Sequence, residues 1–206
     1  MSEGFFERLP EPPPPERYRL PEWRQPPATE LAALVPIRQR IAHSDRGVAV
    51  VLSHIDAFSN GCSFRIRTTI HRRPGLDDAE WEELNEAVTG YHPGRGWHRS
   101  PGDMLRFGVQ LSDGRRLTTE GPGPYPEHDQ QPDGHVLTQL GGSGGGDGWL
   151  LAHSWSLWLW PLPPPEPFDL VVTWPGVGID LARTELSGRD IHDAATHTRP
   201  LLPDAP

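Results

Sequence analysis

Hydrophobic and polar positions alternate most regularly over Cys62–His71, where Phe64, Ile66, Thr68 and Ile70 fall on one side and Arg65, Arg67 and Thr69 on the other. A period of two is the mark of a half-buried strand. Residues 46–58 are dense in β-branched side chains and close on Ser59-Asn60-Gly61, so the two segments predict a hairpin. Residues 34–43 read as an edge strand interrupted by Pro36, because proline cannot donate to a ladder. Residues 104–119 predict a shorter hairpin, with Phe107, Val109 and Leu111 alternating and Asp113-Gly114 supplying a type I′ turn. Further strands are predicted at 135–140 and 179–186.

Only one long segment changes period. Over residues 77–89 the apolar positions Trp81, Leu84 and Val88 follow helical spacing, and Asp77 stands where a capping residue belongs. A short second helix is predicted near the carboxy terminus, capped by Ser187 or Asp190. The densest stretch runs from the glycine-rich loop 141–148 through WLLAHSWSLWLW and the proline-rich PLPPPEP to FDLVVTW, read as a strand and its returning partner. On the first, Trp155, Leu157 and Leu159 share a face and Ser156, Trp158 and Trp160 the other; on the second, Phe168, Leu170, Val172 and Trp174 align. These elements predict an all-β fold, an immunoglobulin-like antiparallel β-sandwich of about eight or nine strands with one inserted helix and a short C-terminal helix. The predicted organisation is a proline-rich arm or strap at 1–28, one sandwich domain at 29–198 and a tail at 199–206.

Composition narrows the chemistry. All 19 basic residues are arginine, which removes Schiff-base lysines and a phosphate-cradling P-loop lysine. A net charge of −9 argues against a nucleic-acid partner, which needs a basic face. The local exception, Arg65, Arg67, Arg72 and Arg73, reads as the solvated side of a strand. Cys62 is the single cysteine, so no internal disulfide forms, and a reduced, cytoplasmic setting is expected. The amino terminus lacks a basic segment followed by an apolar one, and no window is apolar enough to span a membrane, so neither a leader nor a membrane partner is expected.

Gly141-Gly142-Ser143-Gly144-Gly145 satisfies G-x-S-x-G, but a nucleophile elbow needs a turn into a helix, and here more glycine and a strand follow. Ser143 with His153 or His192 as base is therefore disfavoured. Gly142, Ser143, Gly144 and His153 remain a candidate ligand loop. Weak metal candidates are His54 with Asp56, His92 with His98, and His128; none has a structural zinc spacing, so neither a metal nor another cofactor is expected. One face per strand suffices for a sandwich, so Trp158 and Trp160 need a cover, drawn from the arm, the Trp81 helix or a partner. Trp158, Trp160, Trp23 and Trp81 form the candidate interaction face.

The phrases LPEPPPP, FGVQLSDGRR, the glycine run, LWPLPPPEPF and VVTWPGVGI together resemble a group of actinobacterial proteins of about this length. That group carries no assigned activity, so the resemblance implies no functional residues, only a free-standing cytoplasmic protein. The leading expectation is a non-catalytic protein-interaction module. The alternative is a small-molecule or metal-dependent site built by the glycine loop and nearby histidines. A flat apolar surface distinguishes the first, a concave polar cavity the second.

Overall fold

The computed structural model describes residues 20–37, 39–89, 91–92, 96–97, 104–119 and 131–202. In chain order the elements are β1 (Glu30–Leu31), β2 (Ala33–Val35), β3 (Gln39–His43), β4 (Val48–Ala57), β5 (Cys62–His71), α1 (Asp78–Thr89), β6 (Tyr91–His92), β7 (Gly96–Trp97), β8 (Arg106–Gln110) and β9 (Arg116–Thr118). There follow β10 (Val136–Gly146), β11 (Leu150–Trp160), β12 (Pro167–Trp174), β13 (Ile179–Ser187), α2 (Gly188–Ala195) and β14 (Arg199–Pro200). The larger sheet runs β10-β11-β5-β4, with β2 and β3 sharing the far edge of β4; the smaller runs β13-β12-β8-β9. Every pairing is antiparallel. Phe64 of β5 meets Phe168 of β12 at 6.3 Å between ring centroids, and Phe107 of β8 meets Trp155 of β11 at 5.9 Å, so the two sheets close face to face over one core.

The alternation in β5 translates directly into burial: Phe64, Ile66, Thr68 and Ile70 are shut from solvent while Arg65 and Arg67 are exposed. Its hairpin partner β4 buries Val48, Val50, Leu52, Ile55 and Ala57, the phase slipping at a bulge between Leu52 and His54. Each large apolar side chain so buried contributes about 1.5–3 kcal/mol. Helix α1 begins with a reciprocal capping box. Glu80 N–H donates to Asp77 Oδ1 at 2.8 Å, and Asp77 N–H donates to Glu80 Oε2 at 3.1 Å. Trp81 and Leu84 enter the core, and the Val88 side chain lies outside the described residues. α2 is capped by Ser187, whose Oγ accepts from Asp190 N–H at 3.2 Å.

Four expectations need correction. The glycine run is not a loop, because residues 141–146 are the second half of β10, in register with β11 from Gly141 opposite Ser156 to Gly146 opposite Leu151. Strands β11 and β12 are not partners, since residues 161–166 carry the chain from one sheet to the other. The Asp113-Gly114 turn is not type I′. Gly114 N–H donates to Leu111 O, and Gly114 alone takes a positive φ, 85°, which marks a type I turn closed by a glycine bulge. Residues 199–200 are not a free tail; β14 pairs with β1, and Leu201 N–H donates to Thr29 O at 2.7 Å. No described helix is long and apolar enough to cross a membrane.

Candidate functional site

Trp158 lies on the outer side of the larger sheet yet is 0% exposed. The cover is the chain itself. Its indole Nε1 donates to Glu22 O at 3.0 Å, and the Asn60 side-chain amide donates to the Glu22 carboxylate at 3.0 Å. Phe58 meets the ring edge-on at 5.6 Å, and Arg24, itself buried, lies 4.5 Å from the Trp23 ring centre. Trp160 and Trp23 are half-buried, and Trp81 belongs to the core. Trp158, Trp160, Trp23 and Trp81 therefore present no common open surface. Within the arm predicted at 1–28, Glu22 supplies this contact; Phe5, Phe6 and Tyr18 fall outside the described residues.

Beyond the covered tryptophan the outer face turns polar. Antiparallel register sets its residues in cross-strand rows. One row reads Ser143, Ser154, Arg67, Val51 and Arg40; the next reads Gly141, Ser156, Arg65 and His54. A cleft of about 750 Å³ opens over them, lined by Ser53, His54, Arg65, Arg67, Leu140, Ser143, Ser154 and Ser156 among others. Small residues on β10 and β11 make its floor, and arginines make one wall. Arg65 Nε donates to Asp56 Oδ2 at 2.7 Å, and His54 Nε2 lies 3.5 Å from the other carboxylate oxygen. Arg67 and Arg40 are exposed and form no ion pair or hydrogen bond among the described residues. Ser156 Oγ is shut from solvent without a hydrogen-bond partner there. Such an atom costs about 1–3 kcal/mol until something pairs with it.

The candidate ligand residues divide between the two faces of the sheet. Ser143 points outward, whereas Gly142, Gly144 and His153 belong to the inner side, in register with Trp155 and Thr68. The imidazole lies along the glycine backbone and meets Trp155 at 4.2 Å. A Cβ on Gly142 would stand 2.5 Å from His153 Nε2, and one on Gly144 would stand 2.5 Å from Nδ1, so these glycines make room for the ring. His153 on one face cannot serve as base to Ser143 on the other. His192 lies on α2, where its Nε2 is bonded to Pro163 O at 2.6 Å. On the inner side a second cleft, about 480 Å³, lies between Gly144–Gly148 and the α1 residues Trp81, Glu82 and Asn85, with Leu151 and His153 beside it. At its rim Asp147 Oδ1 accepts from Trp149 and Leu150 N–H at 2.8 and 2.9 Å, which holds the carboxyl below its ordinary range.

Of the metal candidates, His54 and Asp56 do come together, but the Arg65 guanidinium occupies the same carboxylate and opposes a second cation. No three His, Cys, Asp or Glu side chains converge among the described residues. The side chains of His92, His98 and His128 lie outside the described residues. Cys62 is buried, and burial pushes its thiol well above the usual range, the opposite of an activated nucleophile. The residues that sequence reasoning did not single out as a site are Arg67, Ser154 and Ser156. Alternation marked Arg67 as outward, and only register places the three in one cleft. No family model matches the chain, and no match is found among the curated proteins or the solved structures.

Proposed function

We propose that the chain is a non-catalytic binding domain that holds an anionic group, carboxylate or phosphate, in the cleft on the outer face of its larger sheet. The observation carrying this is Arg67, exposed and unpaired among the described residues, in one cross-strand row with Ser143 and Ser154. A guanidinium offers a planar fork of donors suited to carboxylate and phosphate oxygens, and the serines add neutral donors around it. Arg40, exposed in the same cross-strand row, adds a second guanidinium to this face of a chain whose net charge is −9. The concave polar alternative thus has more support than the aromatic contact surface, whose central tryptophan is sealed by residues 20–25. The immunoglobulin-like class, the cytoplasmic setting and the actinobacterial likeness belong to the same proposal and rest on the sequence alone.

Titration of isotope-labelled protein with inorganic phosphate and with citrate tests it by NMR. Saturable shifts at Arg67 Nε–H and at the amides of Ser143, Ser154 and Ser156 are expected, weakening as salt is added. In Arg67→Ala these shifts are lost while the spectrum of the core stays unchanged. Identical titration of the wild type and Arg67→Ala, or none at millimolar ligand, refutes the assignment.

A further inference from the structure

β10 is the outermost strand of its sheet, and residues 139–149 are all exposed. Asp147 N–H donates to Leu150 O at 2.9 Å. Counting back along an antiparallel ladder from that bond, the N–H and C=O groups of Gly146, Gly144 and Gly142 turn away from β11 toward the free edge. Natural edge strands are shielded by charges, proline or a covering element. Residues 139–146 carry no charge and no proline, and no strand pairs with this edge among the described residues.

Gly145 adds an independent sign. Gly142, Gly144 and Gly146 are explained by the backbone and side chains that a Cβ would strike, but a Cβ on Gly145 meets nothing within 4 Å and its φ is not left-handed. Glycine within a strand weakens it, and it recurs where another backbone approaches closely. The contacts within the fold do not require glycine at 145.

The two clefts flank this same strand, the outer one at Leu140–Ser143 and the inner one at Gly144–Gly148. A strand added to the edge alternates its side chains between those two faces. Outward it meets Ser143 and, across the row, Ser154 and Arg67; inward it meets Trp81, Leu151 and His153. The added strand would lie three strand spacings from β5, about 14 Å from the Arg67 backbone. An extended arginine and a glutamate bridge that span across the small residues between them, and an aspartate, one methylene shorter, reaches less far.

We propose that the free edge of β10 receives an extended acidic peptide by strand addition, with a glutamate reaching Arg67 in the outer cleft and an apolar neighbour entering the inner one. This rests on the reading of the outer cleft as an anion site. A second copy of the chain is the weaker occupant, because its own β10 brings only Gly141, Ser143 and Gly145 to the outer face and leaves Arg67 unmatched.

Selection from a displayed library of random dodecapeptides on the full chain tests this, followed by binding of the selected peptides as capped synthetic probes. Enrichment of glutamate flanked by β-branched or aromatic residues is expected, with proline depleted. Replacing that glutamate by glutamine, or the protein by Arg67→Ala, should weaken binding about tenfold. N-methylation of alternate peptide amides should abolish it in one register and spare it in the other, and amide exchange at Gly142, Gly144 and Gly146 should slow in the complex. Selected peptides lacking glutamate, indifference to N-methylation, or a free protein that is already dimeric with those amides protected would each overturn the inference. If phosphate and citrate still shift the Arg67 row while no peptide binds, the cleft assignment stands and the strand addition falls; if neither binds, both fall.

Discussion

Placing a methyl group on Gly61 presses directly on the seal over Trp158. In Gly61→Ala the new Cβ would lie 2.5 Å from Trp158 Cη2, 2.6 Å from Cζ2 and 2.7 Å from Leu159 O. Ordinary carbon contacts are about 3.5–4.0 Å, so the ring has to retreat by roughly 1 Å. It has nowhere free to go. Phe58 sits edge-on at 5.6 Å, and the indole N–H is tied to Glu22 O at 3.0 Å. Overpacking of this kind costs about 1–3 kcal/mol. For a chain of this size the melting temperature falls by about 2–4 °C for each kcal/mol. Trp158→Phe alone leaves a small cavity and strands the Glu22 carbonyl, again about 1–3 kcal/mol. The double variant should cost less than the sum, by about 1 kcal/mol, because phenylalanine vacates the atoms that the methyl group strikes. Urea unfolding followed by far-ultraviolet circular dichroism measures all three, with an unchanged denaturant slope confirming that stability alone has moved. A single-variant cost under about 0.5 kcal/mol, or additivity within about 0.3 kcal/mol, would mean that the tryptophan is not clamped between Gly61 and the strap.

Three further outcomes follow from the same coordinates. Cys62 should resist a thiol reagent in the folded protein and react only on unfolding. Its thiol is raised above the ordinary 9.0, so the neutral form adds stability that is full below that pH and declines as pH climbs beyond it, measurable by unfolding between neutral and strongly alkaline buffers. Asp147 is lowered from 3.8 by the Trp149 and Leu150 amides, so its carboxyl should titrate below that value by NMR. Its support for the β10–β11 turn is present above 3.8 and lost as pH falls, with Asp147→Ala speeding exchange of those two amides at neutral pH. Ser187→Ala removes the α2 cap and should cost about 1 kcal/mol, partly recovered by Ser187→Asp, as read by thermal unfolding.

Legibility in the sequence followed how local each determinant is. β5 was readable because alternation needs only neighbours two apart, and the α1 cap because Asp77 and Glu80 are three apart. The glycine run misled because residues without side chains have no hydrophobic period; pairing with β11, not propensity, makes residues 141–146 a strand. β11 and β12 looked like partners because they are consecutive, yet only the path of residues 161–166 shows that they lie in opposite sheets. The outer cleft was half visible. Arg65 and Arg67 were marked as outward, but a row that joins Ser143, Ser154, Arg67 and Arg40 draws on four strands, and a shift of one residue in any of them would dissolve it.

By itself the sequence determined the class of the fold, the inward and outward positions of most strands, the two helix caps and the presence of one tryptophan face more than a simple sandwich needs. Only the tertiary structure decided what lies on that face. The indole of Trp158 reaches a backbone carbonyl 136 residues away, at Glu22, and every residue type carries such a carbonyl. Side-chain patterns record which surfaces must leave water, since that cost belongs to each residue alone. They do not record which backbone arrives to cover them, because that depends on register and chain path across the whole molecule.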